Sequence, residues 1–556
     1  MREHAFGVSL SENLNLADPE NIEEITGILW PDKSSRQRKK ILNRISKWKS
    51  LTAGTTNQPE FEQYQEALRE RNLFDYDDLI GEAVTLLEQN DALRRKLQLH
   101  YKHIFVDEYQ DVNAIQHKLL KLLLGDFGRL TAIGDPNQAI YGFRGSDVQF
   151  FAMFSDEFDD SVVLHLSDNY RSAQNLLNAS GQVIHKNRFP GLPPLTAKIA
   201  AKGRLTIHET PTEKSEAEYV VHQIEKMVGG LSMFSQDSGR VISGTEGERS
   251  FGDFAVLYRL NAQRRALEEA FERSGIPFQI SGDAPLIQHP GVVELMTFLK
   301  LAAEEAVRKN DALKVLQKLI VGFGPAAVKS VQSFLDASER LSRQNLSGLL
   351  TKDSPLRTNL IERFETFLDG LDETKHKIQE LGVKNALQHL ALISAWQRLL
   401  VENESINKSW RQLVRLASLH DTMQEFTDAV YLQRDFDQFD RRAERVSLMT
   451  MHASKGLEFP VVFIVGCEQN LIPLHLEGFE TESAEERRIF YVGMTRAKEE
   501  LTLVRAKSRM LFGKKLKTTP SPFIGDISEQ LKAYERHARR ANSKKQEKKS
   551  QLELFG

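Results

Sequence analysis

The sequence contains a single cysteine, Cys467, among its 556 residues. One thiol cannot form an internal disulfide, so a disulfide-stapled fold of the small secreted kind is excluded. This sparing use of cysteine fits a reducing compartment. Because Cys467 follows an apolar run, we interpret it as a small buried residue rather than as a reactive thiol.

Long apolar runs are missing as well. No stretch approaches the roughly eighteen consecutive apolar residues that a membrane-crossing helix requires, and Met1 to His4 contain no apolar signal region. A strong net charge is also absent, since 74 Lys and Arg oppose 77 Asp and Glu. A near-neutral protein can carry a locally basic channel, so this balance does not exclude nucleic acid. We expect a soluble, cytoplasmic protein of three or four domains, without a membrane partner.

Short apolar runs that end in polar residues begin near residue 104. Three of them lie at 104–106, 130–133 and 162–166. Nearly continuous apolar strands separated by helical segments predict a parallel α/β sheet. Ligands of such sheets bind at the carboxyl ends of the strands, where these polar residues fall.

A second set of strands follows, and it predicts a second α/β lobe with a helical insertion. These strands are predicted at 204–208, 254–258, 446–451, 461–465 and 501–504. The predicted domains are a helical accessory subdomain at 1–95, a first lobe at 96–183, a second lobe at 184–302 and 441–525, the helical insertion at 303–440, and a tail at 526–556.

The segment from Val106 to Asp111 places two acids, Asp107 and Glu108, at the end of a predicted strand. One carboxylate in this position suits Mg²⁺, which takes a few oxygen ligands beside water and phosphate. Its neighbour could orient or deprotonate an attacking water. Helix capping by an acidic residue is the alternative interpretation.

The next predicted strand leads into a segment that joins an amide, Gln138, to two aromatic residues and a cation. Tyr141, Phe143 and Arg144 follow within six positions. Aromatic side chains beside an arginine form a stacking platform for the bases of a single strand. Aromatic residues of a buried core are an equally open alternative.

Three further polar segments complete the set: Asn169 to Ser172, Thr450 to Phe459, and Tyr491 to Ala497. In order and spacing, the five segments resemble motifs of the UvrD/Rep/PcrA family of superfamily 1 DNA helicases. The resemblance implies two RecA-like parallel-sheet lobes, of which the first is incomplete here. It also implies ATP and Mg²⁺ between the lobes, and single-stranded DNA and single-strand/duplex junctions as partners.

The resemblance further implies roles for individual residues. On the nucleotide side they are a Mg²⁺ ligand (Asp107), the base that activates water (Glu108), a γ-phosphate sensor (Gln138), an adenine-stacking ring (Tyr170), a γ-phosphate contact (Arg171), a ribose contact (Glu458) and an arginine finger (Arg496). On the DNA side they are base stacking by Tyr141 and Phe143, beside Arg144, and a backbone contact by Thr450. Phe143 stands where the family usually has Trp, so it keeps a stacking face but lacks the indole donor.

The helical insertion is similar to the duplex-contacting subdomain of the family. In it, Gly322 and Gly324 precede a predicted helix and could present backbone amides to a duplex phosphate. A glycine turn between two helices is the alternative.

A glycine-rich phosphate loop of the form G-x-x-x-x-G-K-[ST] is absent from the sequence. The one Gly-Lys pair, Gly513-Lys514, lacks the upstream glycine and lies far from the predicted first lobe. Because the other motifs are present, we expect an N-terminally truncated chain rather than a degenerate site. We also expect weak ATP hydrolysis and exposed sheet edges from this chain alone.

The residues after about 526 form a tail of different composition. Between Tyr534 and Ser550, seven Lys or Arg oppose two Glu, which predicts a disordered basic linker. Gln551, Leu552, Leu554 and Phe555 resemble the motif that docks bacterial proteins on the replicative sliding clamp. A tail that folds back on its own protein and a chance match are the alternatives.

Two hypotheses of different class follow from these observations. The first is an ATP-dependent 3′→5′ DNA helicase or translocase in repair or replication. The second is a non-catalytic DNA- and clamp-binding protein that keeps the helicase shell. A helicase–nuclease subunit is less consistent with the sequence, because no nuclease-sized domain follows Val504.

Overall fold

The computed structural model describes residues 15–17, 19–51, 58–125, 128–200, 202–229, 249–281, 286–335, 340–351, 354–420, 422–432, 443–475 and 481–535. The chain divides into two compact units. The first comprises Met1–Asn15, Ile25–Gly282 and Phe439–Gly556, and the second comprises Leu16–Glu24 and Asp283–Gln438. No helix among the described residues combines the length and apolar character that a bilayer crossing requires.

The described part before residue 103 is mostly helical. Its helices are Pro19–Leu29, Ser35–Leu51, Pro59–Glu70, Tyr76–Gln89 and Asp91–His100. A buried ion-pair cluster ties three of them together, because Lys49 Nζ lies 2.5 Å from Asp75 Oδ2 and 2.7 Å from Asp78 Oδ1, and its ammonium lies over the ring of Tyr64. Burial raises the pKa of the Asp78 carboxyl to about 6.

The first parallel sheet has two strands among the described residues, β1 (His103–Val106) and β2 (Arg129–Ala132), with Ile104 opposite Leu130. Phe105 on β1 is 70% exposed. The predicted third strand at 162–166 is wrong: this segment is not a strand, and Val162, Val163, Leu164 and Leu166 are exposed. A strand needs a neighbour for its hydrogen bonds, and residues 162–166 pair with none of the described strands. Parallel pairing begins only after them, where Asp168–Asn169 pairs with Thr196–Ala197.

The second sheet confirms all five predicted strands of the second lobe. Its strands are β3 (Arg204–Thr212), β4 (Phe254–Tyr258), β5 (Phe278–Ser281), β6 (Val446–Thr450), β7 (Phe459–Ile464), β8 (Ala497–Leu511), β9 (Lys514–Lys517) and β10 (Ala533–Glu535). Their order is β10-β3-β8-β7-β4-β6-β5, all parallel, and β9 pairs antiparallel with β8. Every residue of β4 is buried, as expected for a central parallel strand covered on both faces.

Helices cover this sheet and complete its core. They include Gln174–Ile184, Glu213–Met227, Arg264–Ser274 and Ser483–Met494. Cys467 is fully buried in this core, which confirms its interpretation as a small packing residue, and burial raises the pKa of its thiol.

The start of the tail also differs from the prediction. Residues 526–535 are ordered, because Ile527 is buried and Ala533–Glu535 adds an edge strand to β3. Glu535 accepts a hydrogen bond from the Tyr219 hydroxyl at 2.7 Å. The composition of the tail contains no information about these long-range contacts, so the sequence did not predict them. The clamp-like residues Gln551, Leu552, Leu554 and Phe555 lie outside the described residues.

The second unit is helical. Its helices are Val292–Ala302, Lys309–Leu319, Pro325–Phe334, Arg343–Ser347, Thr358–Leu390, Ser394–Glu402, Glu404–Ala417 and Met423–Leu432. The longest of them is interrupted at Gly382, whose φ of 79° lies in the left-handed region. The apolar residues of the whole unit, among them Phe364 and Trp396, form one continuous core.

Candidate nucleotide and DNA site

The predicted catalytic acids lie at the carboxyl end of β1. Asp107 and Glu108 are both exposed, and Asp107 Oδ1 accepts the Glu108 amide at 2.9 Å. Glu108 adopts a left-handed conformation with φ of 52°, which is uncommon for a residue with a side chain. The Tyr109 amide then donates to the carbonyl of Ile133 at 2.9 Å. The two acids are therefore fixed against the end of the neighbouring strand.

A buried glutamine connects this turn to the one after β2. Gln110 Oε1 accepts the Asp135 amide at 3.1 Å, and its Nε2 donates to Glu108 Oε2. A Cβ atom on Gly134 would lie 2.2 Å from Gln110 Oε1, so a larger residue here would displace the Gln110 side chain. Gln110 lies in the acidic segment, but no role was predicted for it from the sequence.

Gln138 and Arg496, predicted from segments far apart in the chain, lie in contact. Arg496 Nη2 donates to Gln138 Oε1 at 3.1 Å, and its Nε donates to the carbonyl of Val492 at 2.8 Å. The guanidinium is almost fully buried, and burial, with a further contribution from Arg171, lowers its pKa to about 10. Arg496 therefore remains charged at neutral pH.

Lys455 is the main residue of this region that the sequence analysis missed. Its ammonium contacts Asp111 Oδ2, lies 3.3 Å from Glu108 Oε2, and donates to the carbonyl of Gln138 at 3.0 Å. Burial raises the pKa of Asp111, and Lys455 partly opposes that shift. A lysine within an otherwise buried segment was the available signal, because a buried ammonium needs acidic partners.

The other predicted nucleotide contacts form a second cluster. Arg171 Nε lies 2.7 Å from Glu458 Oε2, and Lys498 Nζ lies 2.8 Å from Glu458 Oε1. Hydrogen bonds from Lys498 and then Arg171 lower the pKa of the Glu458 carboxyl to about 2. The ring of Tyr170, beside Arg171, is 75% exposed and open to a planar group.

The predicted DNA residues form an aromatic and cationic surface. The ring centroids of Tyr141 and Phe143 are 6.0 Å apart, and the Arg144 guanidinium lies 5.1 Å and 5.5 Å from them. Phe143 is 59% exposed, whereas Tyr141 is half-buried and packs against the core of the second sheet. Phe143 thus presents the more exposed ring, and Tyr141 lies beside it against the core of the second sheet.

His452 packs edge-on against Phe143, with ring centroids 5.8 Å apart. Burial, reinforced by the positive charges of Arg259 and Arg144, lowers the pKa of His452 to about 3, so the ring is neutral near pH 7. Thr450, two residues earlier, accepts the Ala453 amide with its hydroxyl at 3.1 Å. The predicted backbone-contacting side chain therefore also closes the turn after β6.

The predicted glycines lie in the helical unit. Gly322 has φ of 90°, and a Cβ there would lie 3.3 Å from Arg363 Nη1. Gly324 precedes Pro325–Phe334, and Pro325 has no amide hydrogen to offer a phosphate. The Phe323 amide already donates to the carbonyl of Ile320 at 3.1 Å. The turn between helices, which the sequence left as an alternative, is present.

Two family models match the chain. The model of the UvrD-like helicase C-terminal domain covers residues 164–508, and that of the UvrD/REP helicase N-terminal domain covers residues 11–159. The chain belongs to the UvrD-like helicase family. The family resemblance and the α/β fold class expected from the sequence are thereby confirmed.

Individual UvrD-like relatives agree with this assignment. The chain is 34% identical over 493 residues to the ATP-dependent DNA helicase PcrA of Staphylococcus epidermidis, a match that covers 85% of this chain and 64% of that protein. It is 32% identical over 489 residues to PcrA of Staphylococcus aureus, covering 84% and 63%. The matched part of the chain thus spans less than two thirds of the length of these relatives.

Proposed function

We propose that this UvrD-like chain forms most of the nucleotide site and part of the single-strand track of an ATP-dependent 3′→5′ DNA helicase or translocase acting in repair or replication. The observation that carries the proposal is the meeting of Gln138 with Arg496 and of Arg171 with Glu458, across 358 and 287 residues of sequence. Structural packing alone does not require charged groups at such a junction. A site that senses and neutralises a phosphate chain, by contrast, requires charged groups at this position.

The residues at the end of β1 fit a Mg²⁺–nucleotide complex. The described residues hold no group of three or more metal-binding side chains. Mg²⁺ bound with a nucleotide takes only one or two carboxylates and completes its octahedron with phosphate and water. Asp107, exposed at the strand end, fits that requirement, and the bound ion would neutralise phosphate charge.

The roles of the chain's own residues follow from their positions. Glu108 accepts the proton of the attacking water, and Gln110 orients its carboxylate through the bond to Oε2. Arg496 and Arg171 stabilise the negative charge that develops on the transferred phosphoryl group. Gln138 bonds to Arg496 and thereby links the turn after β2 to the second sheet.

The sequence contributes no glycine-rich loop to this site. Such loops supply backbone amides and a lysine to the phosphates, and donors of this kind are each worth roughly 3–4 kcal/mol in a transition state. We therefore propose that turnover requires a phosphate loop in addition to the residues of this chain. The same observation favours the second candidate, a non-catalytic DNA-binding protein, for the chain acting alone.

Glu108→Gln tests the enzyme proposal in a protein that carries this chain together with a phosphate loop. We expect ATP binding to persist and single-strand-stimulated hydrolysis to fall roughly 10²–10⁴-fold, because the base is lost while the pocket keeps its shape. Glu66→Gln, on an exposed helix face, is the matched control. Hydrolysis by Glu108→Gln within a factor of about two of the control would remove Glu108 from this role.

We further propose that the segment at Gln551, Leu552, Leu554 and Phe555 docks on a bacterial sliding clamp. Apolar residues in an otherwise polar segment favour a partner that covers them, and docking on a clamp would raise the local concentration of the motor at its DNA. A peptide of residues 544–556 should bind the clamp, and the same peptide with Ala at positions 551, 554 and 555 should not. Equal behaviour of the two peptides would contradict the proposal.

A further inference from the structure

A cavity of about 360 Å³ opens in the helical unit, and none of the residues assigned a role above lines it. Its buried lining includes Phe298, Phe367 and Trp396. The ring of Phe298 meets the other two edge-on, with centroids 5.7 Å and 5.5 Å away. A rigid aromatic wall around a space of this size suits a large apolar group.

The charged residues that line this cavity are both arginines, Arg363 and Arg398, and no described lining residue is acidic. Arg363 donates to the carbonyl of Val321, and Arg398 Nη2 donates weakly to that of Lys318 at 3.4 Å. A guanidinium has five N–H groups, so each arginine retains donors beyond these bonds. The cavity therefore favours an anionic group with planar acceptors, such as a carboxylate.

One lining residue, Trp396, is a buried indole. Trp396 is 1% exposed, and its indole N–H has no acceptor among the described residues. Trp410 in the same unit donates its indole N–H to the carbonyl of Leu387 at 2.9 Å. Buried indole donors are usually satisfied, and Trp396 departs from that pattern, but its Nε1 atom is closed to solvent, so its contribution to the cavity is the apolar face of the ring.

Exposed apolar side chains lie beside these groups. Val321 lines the cavity and is 51% exposed, and Leu392, which precedes the lining residue Ile393, is 74% exposed. A phosphate backbone would satisfy the arginines but would leave the aromatic wall and these apolar residues uncovered. The combination fits a protein segment better than a duplex.

We propose that this cavity docks a segment of a partner protein that inserts an aromatic or branched apolar side chain and sets a neighbouring carboxylate against Arg363 and Arg398. The partner is thus an acidic, apolar peptide rather than nucleic acid. The proposal uses no residue of the nucleotide site, so it stands or falls separately from the helicase function.

Fluorescence anisotropy on the complete chain tests this docking site. The probe is a fluorescein-labelled peptide, Asp-Asp-Phe-Leu-Asp-Glu. We expect saturable binding that weakens about tenfold or more in the Arg363→Gln/Arg398→Gln variant, which corresponds to about 1.4 kcal/mol or more. Trp396→Phe, which keeps an aromatic ring of smaller area, should weaken it less. Arg411→Gln, an exposed arginine that does not line the cavity, is the matched control and should bind like the unchanged chain.

A second comparison does not depend on how well the variants fold. The peptide Asn-Asn-Phe-Leu-Asn-Gln has the same shape without the charge, and we expect it to bind the unchanged chain at least tenfold more weakly. Equal affinity of the two peptides, or no saturable binding of the acidic one, would overturn the proposal. Displacement of the acidic peptide by a short DNA duplex, with the same dependence on Arg363 and Arg398, would also overturn it in favour of a DNA contact.

Discussion

Two parallel sheets of the first unit, the pair of β1 and β2 and the larger sheet that contains β4, carry the same kind of polar residues at their carboxyl ends but differ in burial. Every residue of β4 in the second sheet is buried, whereas β1 alternates between exposed and half-buried residues. Seven parallel strands support the second sheet, and two described strands form the first. Parallel strands are stable when covered on both faces, and isolated strand pairs are marginal. The first sheet therefore has little stability of its own.

At the candidate site, contacts from the second sheet compensate for the low stability of the first sheet. Lys455, in the turn after β6, holds Glu108 and Asp111, and Arg496, at the start of β8, holds Gln138. The acids that follow β1 thus depend on cations from the better-buried half of the unit. Residues of both sheets therefore form the candidate site, and the better-buried second sheet supplies most of the stability that holds them in place.

The sharpest test of this difference replaces one phenylalanine in each sheet. Phe463→Ala on β7, a fully buried position, should lower the free energy of unfolding by about 3–5 kcal/mol, because it leaves a cavity. Phe105→Ala on β1, where the ring is 70% exposed, should cost less than about 1 kcal/mol. Urea unfolding followed by circular dichroism measures both. Similar costs at the two positions would show that β1 is as well buried as β7.

A smaller effect is expected in the dependence of the free energy of unfolding on pH, and it comes from His452, in the turn after β6. His452 has a folded-state pKa of about 3, below its unfolded value near 6.5, so the unfolded chain binds the extra proton between these values. This contribution to stability is therefore complete above about pH 6.5 and is lost as the pH falls toward 3. His452→Gln should remove a slope of about 1.4 kcal/mol per pH unit from that window.

The difference between the two unfolding curves is the readout for His452, because other groups titrate in the same range. Parallel curves for the unchanged chain and His452→Gln between pH 5 and 7 would mean that the ring binds a proton as readily in the folded protein as in the unfolded chain. The aromatic surface around Phe143 would then be more open than its contact with His452 indicates.

Sequence alone located what depends on local pattern. The strand Phe254–Tyr258 was predicted to the residue, because five consecutive apolar residues between polar ones match a buried parallel strand in length and in bounds. The same pattern at 162–166 predicted a strand that is absent. A continuous apolar run indicates that a segment tends to be buried. A strand also needs a neighbouring strand for its hydrogen bonds, and the pattern contains no information about that neighbour.

The site shows the same division between local and long-range information. Asp107, Gln138 and Arg496 were chosen from motifs, and the structure brings Gln138 to Arg496. Lys455 was missed because its partner Asp111 lies 344 residues away. The unpaired donor of Trp396 was equally invisible, since an indole beside apolar residues is the usual pattern of a core.

We propose that residues of the two sheets act as one nucleotide site, joined where Arg496 meets Gln138. The most direct test of this claim is a double-mutant cycle on single-strand-stimulated ATP hydrolysis, in a protein that carries this chain with a phosphate loop. We expect Arg496→Ala to lower turnover by roughly 10³-fold or more, and Gln138→Ala to add little to it, with a coupling energy of about 1–3 kcal/mol. The control pair, Gln138→Ala with Arg505→Ala on β8, should combine additively, because Arg505 pairs with Glu209 instead. Additive effects of Gln138→Ala and Arg496→Ala would contradict the claim.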